Sequence, residues 1–152
     1  MFLGVKMSNI TAKFSTAARW ALGIIFFVFG LNGFLHFLPQ PPMAGPAADF
    51  AGALAATGYM FPLIKGTEVL VSLLLLSNRF VPLALTLLAP ISINILLFHL
   101  VLAPALGLPL FIIGAQLFLA WSHREAYRGV LSAHSVPHIE PSAEPRARVQ
   151  HA

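Results

Sequence analysis

No cysteine occurs among the 152 residues. Its absence excludes disulfides, thiolate metal sites, cysteine-held iron–sulfur clusters and dithiol redox chemistry within this chain. Any redox role would have to carry its electrons through other groups. Charge is the second scarcity: Asp, Glu, Lys and Arg make up 9% of the sequence, where a soluble domain carries roughly a quarter. What fills the space is apolar, 58% of residues with a mean hydropathy of +0.83, and the composition reads as an integral membrane protein. No haem-ligation motif, no tight metal-ligand motif and no nucleophile beside a base is visible, so an accessory role is expected before catalysis by the chain alone. The net charge of +4 and pI near 10.1 need no nucleic acid, because the basic residues flank the apolar runs and fill the tail, as positive-inside topology requires.

Four runs are long or apolar enough to be read as spanning helices, about residues 20–38, 58–77, 80–102 and 106–122. The expected fold is therefore all-α, an integral membrane four-helix bundle. Residues 1–18, with Lys6 and Lys13 among apolar neighbours, form a cytoplasmic N-terminal segment. Arg19 and Trp20 open the first run as an interface anchor should. A cleaved signal peptide is the rival reading, but the run exceeds the usual core of about 7 to 15 residues and no clear small-residue cleavage site ends it. PQPPMAGP, residues 39–46, cannot continue a helix. AADFAGALAAT, residues 47–57, then reads as a short surface helix between the first and second spans. The fourth run is short and needs local thinning of the bilayer. Residues 19–128 form the spanning domain, and 129–152, polar and proline-punctuated, read as a disordered cytoplasmic tail. Lys6, Lys13 and Arg19 precede the first run, Arg79 separates the second from the third, and Arg124, Arg128, Arg146 and Arg148 follow the fourth. The other two loops hold no Lys or Arg, which puts both termini in the cytoplasm.

The second run, GYMFPLIKGTEVLVSLLLLS, carries Lys65 and Glu68 at mid-depth. A charge there costs roughly 2.5 to 3.5 kcal/mol on insertion scales, so such residues face protein or water and mark function. At i, i+3 the two share a helix face and can pair. At about 1.5 Å per residue, Asn32 and Lys65 fall about 9 to 11 Å below the outer surface, and Glu68, Asn94 and Gln116 about 12 to 15 Å. His36 and His99 lie within about one turn of the outer edge. The expectation is one polar, ligand-binding layer supplied by all four helices and rimmed by histidines. Plainer readings stand beside it: Asn32, Asn94 and Gln116 as hydrogen-bond glue between helices, Lys65 snorkelling to the headgroups, and Gly23, Gly30 and Gly33 as close-packing positions. A metal held by His36, His99 and Glu68 has no motif to support it.

The order RWALGIIFFVFGLNGFLHFLP, then GYMFPLIKGTEVLVSLLLLSNRFVPLAL, then LLAPISINILLFHLVL resembles the DoxX family of small four-helix bacterial membrane proteins, over residues 19–127. The positions that carry it are Gly30, Asn32, Phe34, Glu68, Pro90, Asn94, Phe98 and His99. The resemblance implies a multi-pass protein of the bacterial inner membrane, a subunit of a quinone-linked respiratory or sulfur-oxidising system or a partner of enzymes that handle oxidative or thiol stress. The lack of cysteine leaves any thiol relay without its residues. Three functions follow as expectations. The first is a quinone-binding or redox-associated accessory subunit with membrane or peripheral redox partners, Glu68, Asn94 and Asn32 meeting the quinone head group. The second is a scaffold or assembly subunit whose polar layer sets helix register. The third, with less support because no inverted repeat is evident, is a small proton-coupled transporter using Glu68 and Lys65.

Overall fold

No proline occurs before Pro39, and in the computed structural model, which describes residues 2–39 and 42–129, one helix runs through most of that stretch. Helix α1, Phe2–Leu35, has 34 residues and no break at Arg19. The sequence boundary at residues 18 and 19 is thus a change in composition along a continuous helix. α1 ends where His36 takes a left-handed conformation, φ 50. Pro46 begins α2, Pro46–Ala56, at the first helical turn, where its missing N–H costs nothing. Gly58, at φ 75, makes the turn that a side chain would strain, and α3, Met60–Leu76, leaves at 89° to α2. Asn78 and Phe80, both left-handed, turn the chain into α4, Val81–Val101. That helix carries Pro90 in its interior without breaking. α5, Gly107–Ser122, and the single turn α6, Arg124–Tyr127, complete the described residues, among which there is no strand. Of the tail expected to be disordered, 129–152, all but Gly129 lies outside the described residues, as do the side chains of residues 2–9.

α1 packs on α3 and α5, and α4 packs on the same two helices. Between them lies a core of Leu22 and Phe26 from α1, Val71 and Leu75 from α3, Ala84, Leu85 and Leu88 from α4, and Ile112 and Leu119 from α5. The outward faces are apolar as well: Ile24, Phe29, Leu63, Leu70, Leu83, Leu97, Leu110 and Leu117 all stand exposed. A soluble monomer rarely shows so continuous an apolar surface, and lipid is its compatible surrounding. By length and composition two helices, Ile10–Leu35 within α1 and all of α4, can cross a membrane, and three if the bent pair α2–α3 counts as one span. With 17 and 16 residues, α3 and α5 are shorter than about 20 residues of straight span.

The α1–α3 contact is the closest. A Cβ added at Gly30 would lie 2.9 Å from a Val69 methyl and 3.1 Å from the Val69 backbone nitrogen, and one at Gly23 would lie 2.8 Å from Leu76. Backbone cannot step aside as a side-chain tip can. Arg19, buried on the same helix, donates to the carbonyl oxygens of Leu75 and Leu76 and so satisfies the end of α3. Gly30→Leu should lower stability by about 1 to 3 kcal/mol through overpacking, read by thermal denaturation in detergent. At Gly66, where an added Cβ meets nothing within 4 Å, Ala should be neutral or stabilising by up to about 1 kcal/mol; equal behaviour of the two variants would show that the α1–α3 approach is not the tight contact.

Candidate functional site

Three residues apart on α3, Lys65 and Glu68 do pair. Lys65 Nζ donates to both carboxylate oxygens, at 3.1 Å to Oε1 and 2.9 Å to Oε2. Glu68 is 3% exposed, and the Lys65 side chain 20%. The ammonium is folded back onto the carboxylate and lies 5.8 Å from the centre of the Phe61 ring, where the ring face favours a cation. Gly33 of α1 makes room for the lysine stem, which a Cβ there would overlap, and Gly30 does the same for the Cβ of Glu68, 3.1 Å away. The ion pair is therefore backed by a helix face that carries no side chain.

On its other side the pair opens into a cleft of about 410 Å³ between α2, α3 and α4. Phe50 and Leu54 of α2, Phe61 of α3, and Pro90, Asn94, Phe98 and His99 of α4 line it. Phe50 and Phe98 meet at 5.9 Å, and Phe98 meets the His99 ring edge-on at 5.3 Å. His99 Nδ1 is 2.8 Å from the Ile95 carbonyl oxygen. A carbonyl only accepts, so in the neutral ring Nδ1 carries the proton and Nε2 offers a lone pair. Asn94 is exposed to the cleft and its amide makes no hydrogen bond within the described residues. The cleft thus presents a cation, a two-way amide and an acceptor nitrogen within aromatic walls.

Of the seven residues expected to form one layer, four line this cleft: Lys65, Glu68, Asn94 and His99. The other three do not. Asn32 is buried, but its Oδ1 accepts from the Leu38 backbone N–H at 2.6 Å, so it closes the end of α1. His36 is exposed beyond that end. Gln116 is buried and donates through Nε2 to the Leu85 carbonyl at 2.9 Å. Leu85 precedes Asn94 by nine residues, about 13 Å along α4, so Gln116 belongs to a different level. Counting from helix ends placed it with Glu68 because it treated the ends of α4 and α5 as level. The cleft residues that depth counting overlooked are aromatic. Phe61 stands four residues before Lys65 and Phe98 four after Asn94, a spacing that puts each on the face of its polar neighbour and could have singled them out from the 13 phenylalanines. Among the described residues no three His, Asp or Glu side chains gather around a common metal position.

Removing one partner of a buried ion pair is costly because the other charge stays behind, whereas removing both is often neutral. With the ammonium partly exposed, Glu68→Leu should destabilise by about 2 kcal/mol, less than for a fully buried pair, and Lys65→Leu/Glu68→Leu should recover most of that loss. Thermal denaturation of the three proteins in one detergent checks the cycle, and a double variant no better than the single would show that the pair is not coupled. Compared with protein-family models, curated proteins and solved structures, the chain matches none.

Proposed function

We propose that this chain is a quinone-binding accessory subunit of a redox-linked complex in the bacterial inner membrane, crossing it four times with both termini cytoplasmic. The observation that carries the reading is the cleft: about 410 Å³ is within the volume range of small-molecule sites, which are mostly apolar with a few convergent polar groups. A quinone head group is a flat ring with two carbonyl acceptors. Lys65 Nζ and the Asn94 amide are donors for those carbonyls, His99 Nε2 is an acceptor for a quinol hydroxyl, and Phe50, Phe61 and Phe98 enclose the ring. The resemblance to the DoxX family points to the same class of partner, membrane or peripheral redox proteins of a respiratory or stress-response system. It also shares Glu68, Asn94, Phe98 and His99 with the cleft.

One observation favours a scaffold instead. Lys65 and Glu68 satisfy each other through two hydrogen bonds within α3, so the buried carboxylate has its partner on its own helix and needs no ligand. The two readings separate in a titration of the detergent-purified protein with a short-chain ubiquinone or menaquinone analogue. Quinone binding is expected to be saturable, and Asn94→Leu and His99→Phe should each weaken it about tenfold, the loss of one hydrogen bond in a dry site. No saturable binding, with a partner set unchanged in Glu68→Gln, would leave the scaffold standing.

A further inference from the structure

A second cavity, about 580 Å³, runs as a groove between α4 and α5 and shares no residue with the Lys65–Glu68 cleft. Its walls are small and apolar at the floor, Ala89 and Ala120, with Ile93 and Leu117 standing exposed at the rims. From Ile113 to Arg124 is eleven residues, about 16 Å of helix, the depth of one leaflet of a hydrocarbon core about 30 Å thick. The buried Gln116 is the polar residue along its length, and at one end the groove turns polar, at Thr86, Arg124 and Tyr127.

We propose that this groove holds an acyl chain of an anionic phospholipid whose phosphate sits against Arg124; the proposal rests on the reading that α4 and α5 cross the bilayer with α6 on the cytoplasmic side. The arginine is positioned before any lipid arrives. Tyr127 donates its hydroxyl to the Pro82 carbonyl at 2.9 Å, fastening α6 to the start of α4. Arg124 donates to the Trp121 carbonyl at 3.3 Å and lies over the Trp121 ring at 5.2 Å. Its charge is only partly met. Glu125 is shared between two arginines, Oε2 lying 2.8 Å from Arg128 and Oε1 3.9 Å from Arg124, so this cluster of one carboxylate and two guanidinium groups keeps a net positive charge. A groove with apolar walls and an arginine at its cytoplasmic mouth matches a lipid with one net negative charge. A zwitterionic headgroup would bring its own cation toward the guanidinium.

Native mass spectrometry of the purified protein, given phosphatidylglycerol and phosphatidylcholine with identical chains, tests this. The wild type should retain the anionic lipid about fivefold over the zwitterionic one, the preference expected of one arginine near the membrane surface. Arg124→Gln, at an exposed position, should bring the two near parity. Ala89→Trp, which fills the groove, should lower retention of both. Arg79→Gln removes a charge at the same end of the protein but outside the groove and should leave the preference unchanged. Parity in the wild type, a preference that survives Arg124→Gln, or an equal fall in Arg79→Gln would overturn the site. Alkaline carbonate extraction tests the spans separately: wild-type protein retained in the membrane pellet supports them, and its release would overturn the spanning reading and this site with it.

Discussion

The approach of α1 to α3 is the constraint on which the site depends. Gly23, Gly30 and Gly33 lie seven and three residues apart, one stripe along α1, and without Cβ atoms they let α3 come close enough for backbone to oppose backbone. At Gly30 the space a Cβ would need is already taken by Val69. Glu68 is next to Val69, so the same contact that locks the helices fixes the carboxylate against α1. Lys65, one turn earlier, lays its stem over Gly33 and has its own α3 carboxylate as partner. Water is kept from the back of the pair by packing, and the front is left to the cleft.

A paired charge in such a place is weak support for stability by itself. Desolvation of two ions offsets most of their attraction, and an apolar pair of the same volume would do as well or better. The pair therefore needs another reason to be there. Its bidentate geometry keeps the local net charge near zero while leaving a third ammonium hydrogen for another acceptor. Asn94, with no hydrogen-bond partner among the described residues, and His99, with one nitrogen engaged and one not among them, have the same character: polar groups with unused capacity, in a cleft walled by phenylalanine. Gln116 and Asn32 differ from these in being tied to backbone, Gln116 Nε2 to the Leu85 carbonyl and Asn32 Oδ1 to the Leu38 N–H, although Gln116 Oε1 is itself buried without a partner among the described residues.

How much of this is legible in the sequence depends on what each residue's position is measured against. Lys65 and Glu68 are tied by helix periodicity, which is local, so spacing brings them within reach of each other, while the choice between pairing and snorkelling of Lys65 is made by the fold. The surface helix α2 is bounded by Pro46 and Gly58, whose backbone preferences are also local. Gln116 and Asn32 depend on how helices of unequal length are staggered, and on where a backbone group lacks a partner, and neither is written in a count of residues from an end. Arg19 shows the same limit: at the edge of an apolar run it reads as an interface anchor, yet it is buried and satisfies two carbonyls of α3, 56 and 57 residues away in the chain. Its signal is the helical end that it serves, and only the fold brings that end to it.

α5 is too short to follow α4 from end to end. At 16 residues against 21 for α4, it covers about 24 Å beside about 32 Å, so it cannot shield α4 along its full length. On the α2 side, Phe50 reaches Phe98 at 5.9 Å, and the cleft lies between that contact, α3 and the exposed Pro90 and Asn94 of α4. Where α5 does pack, the small side chains Ala89 and Ala120 leave a channel instead of a filled seam, ended by Arg124 because the chain breaks at His123 before α6 begins. A turn added at the C-terminal end of α5 would carry Arg124 about 5 Å further along the helix axis. The polar aromatic cleft and the basic mouth of the α4–α5 groove thus lie towards opposite ends of α4.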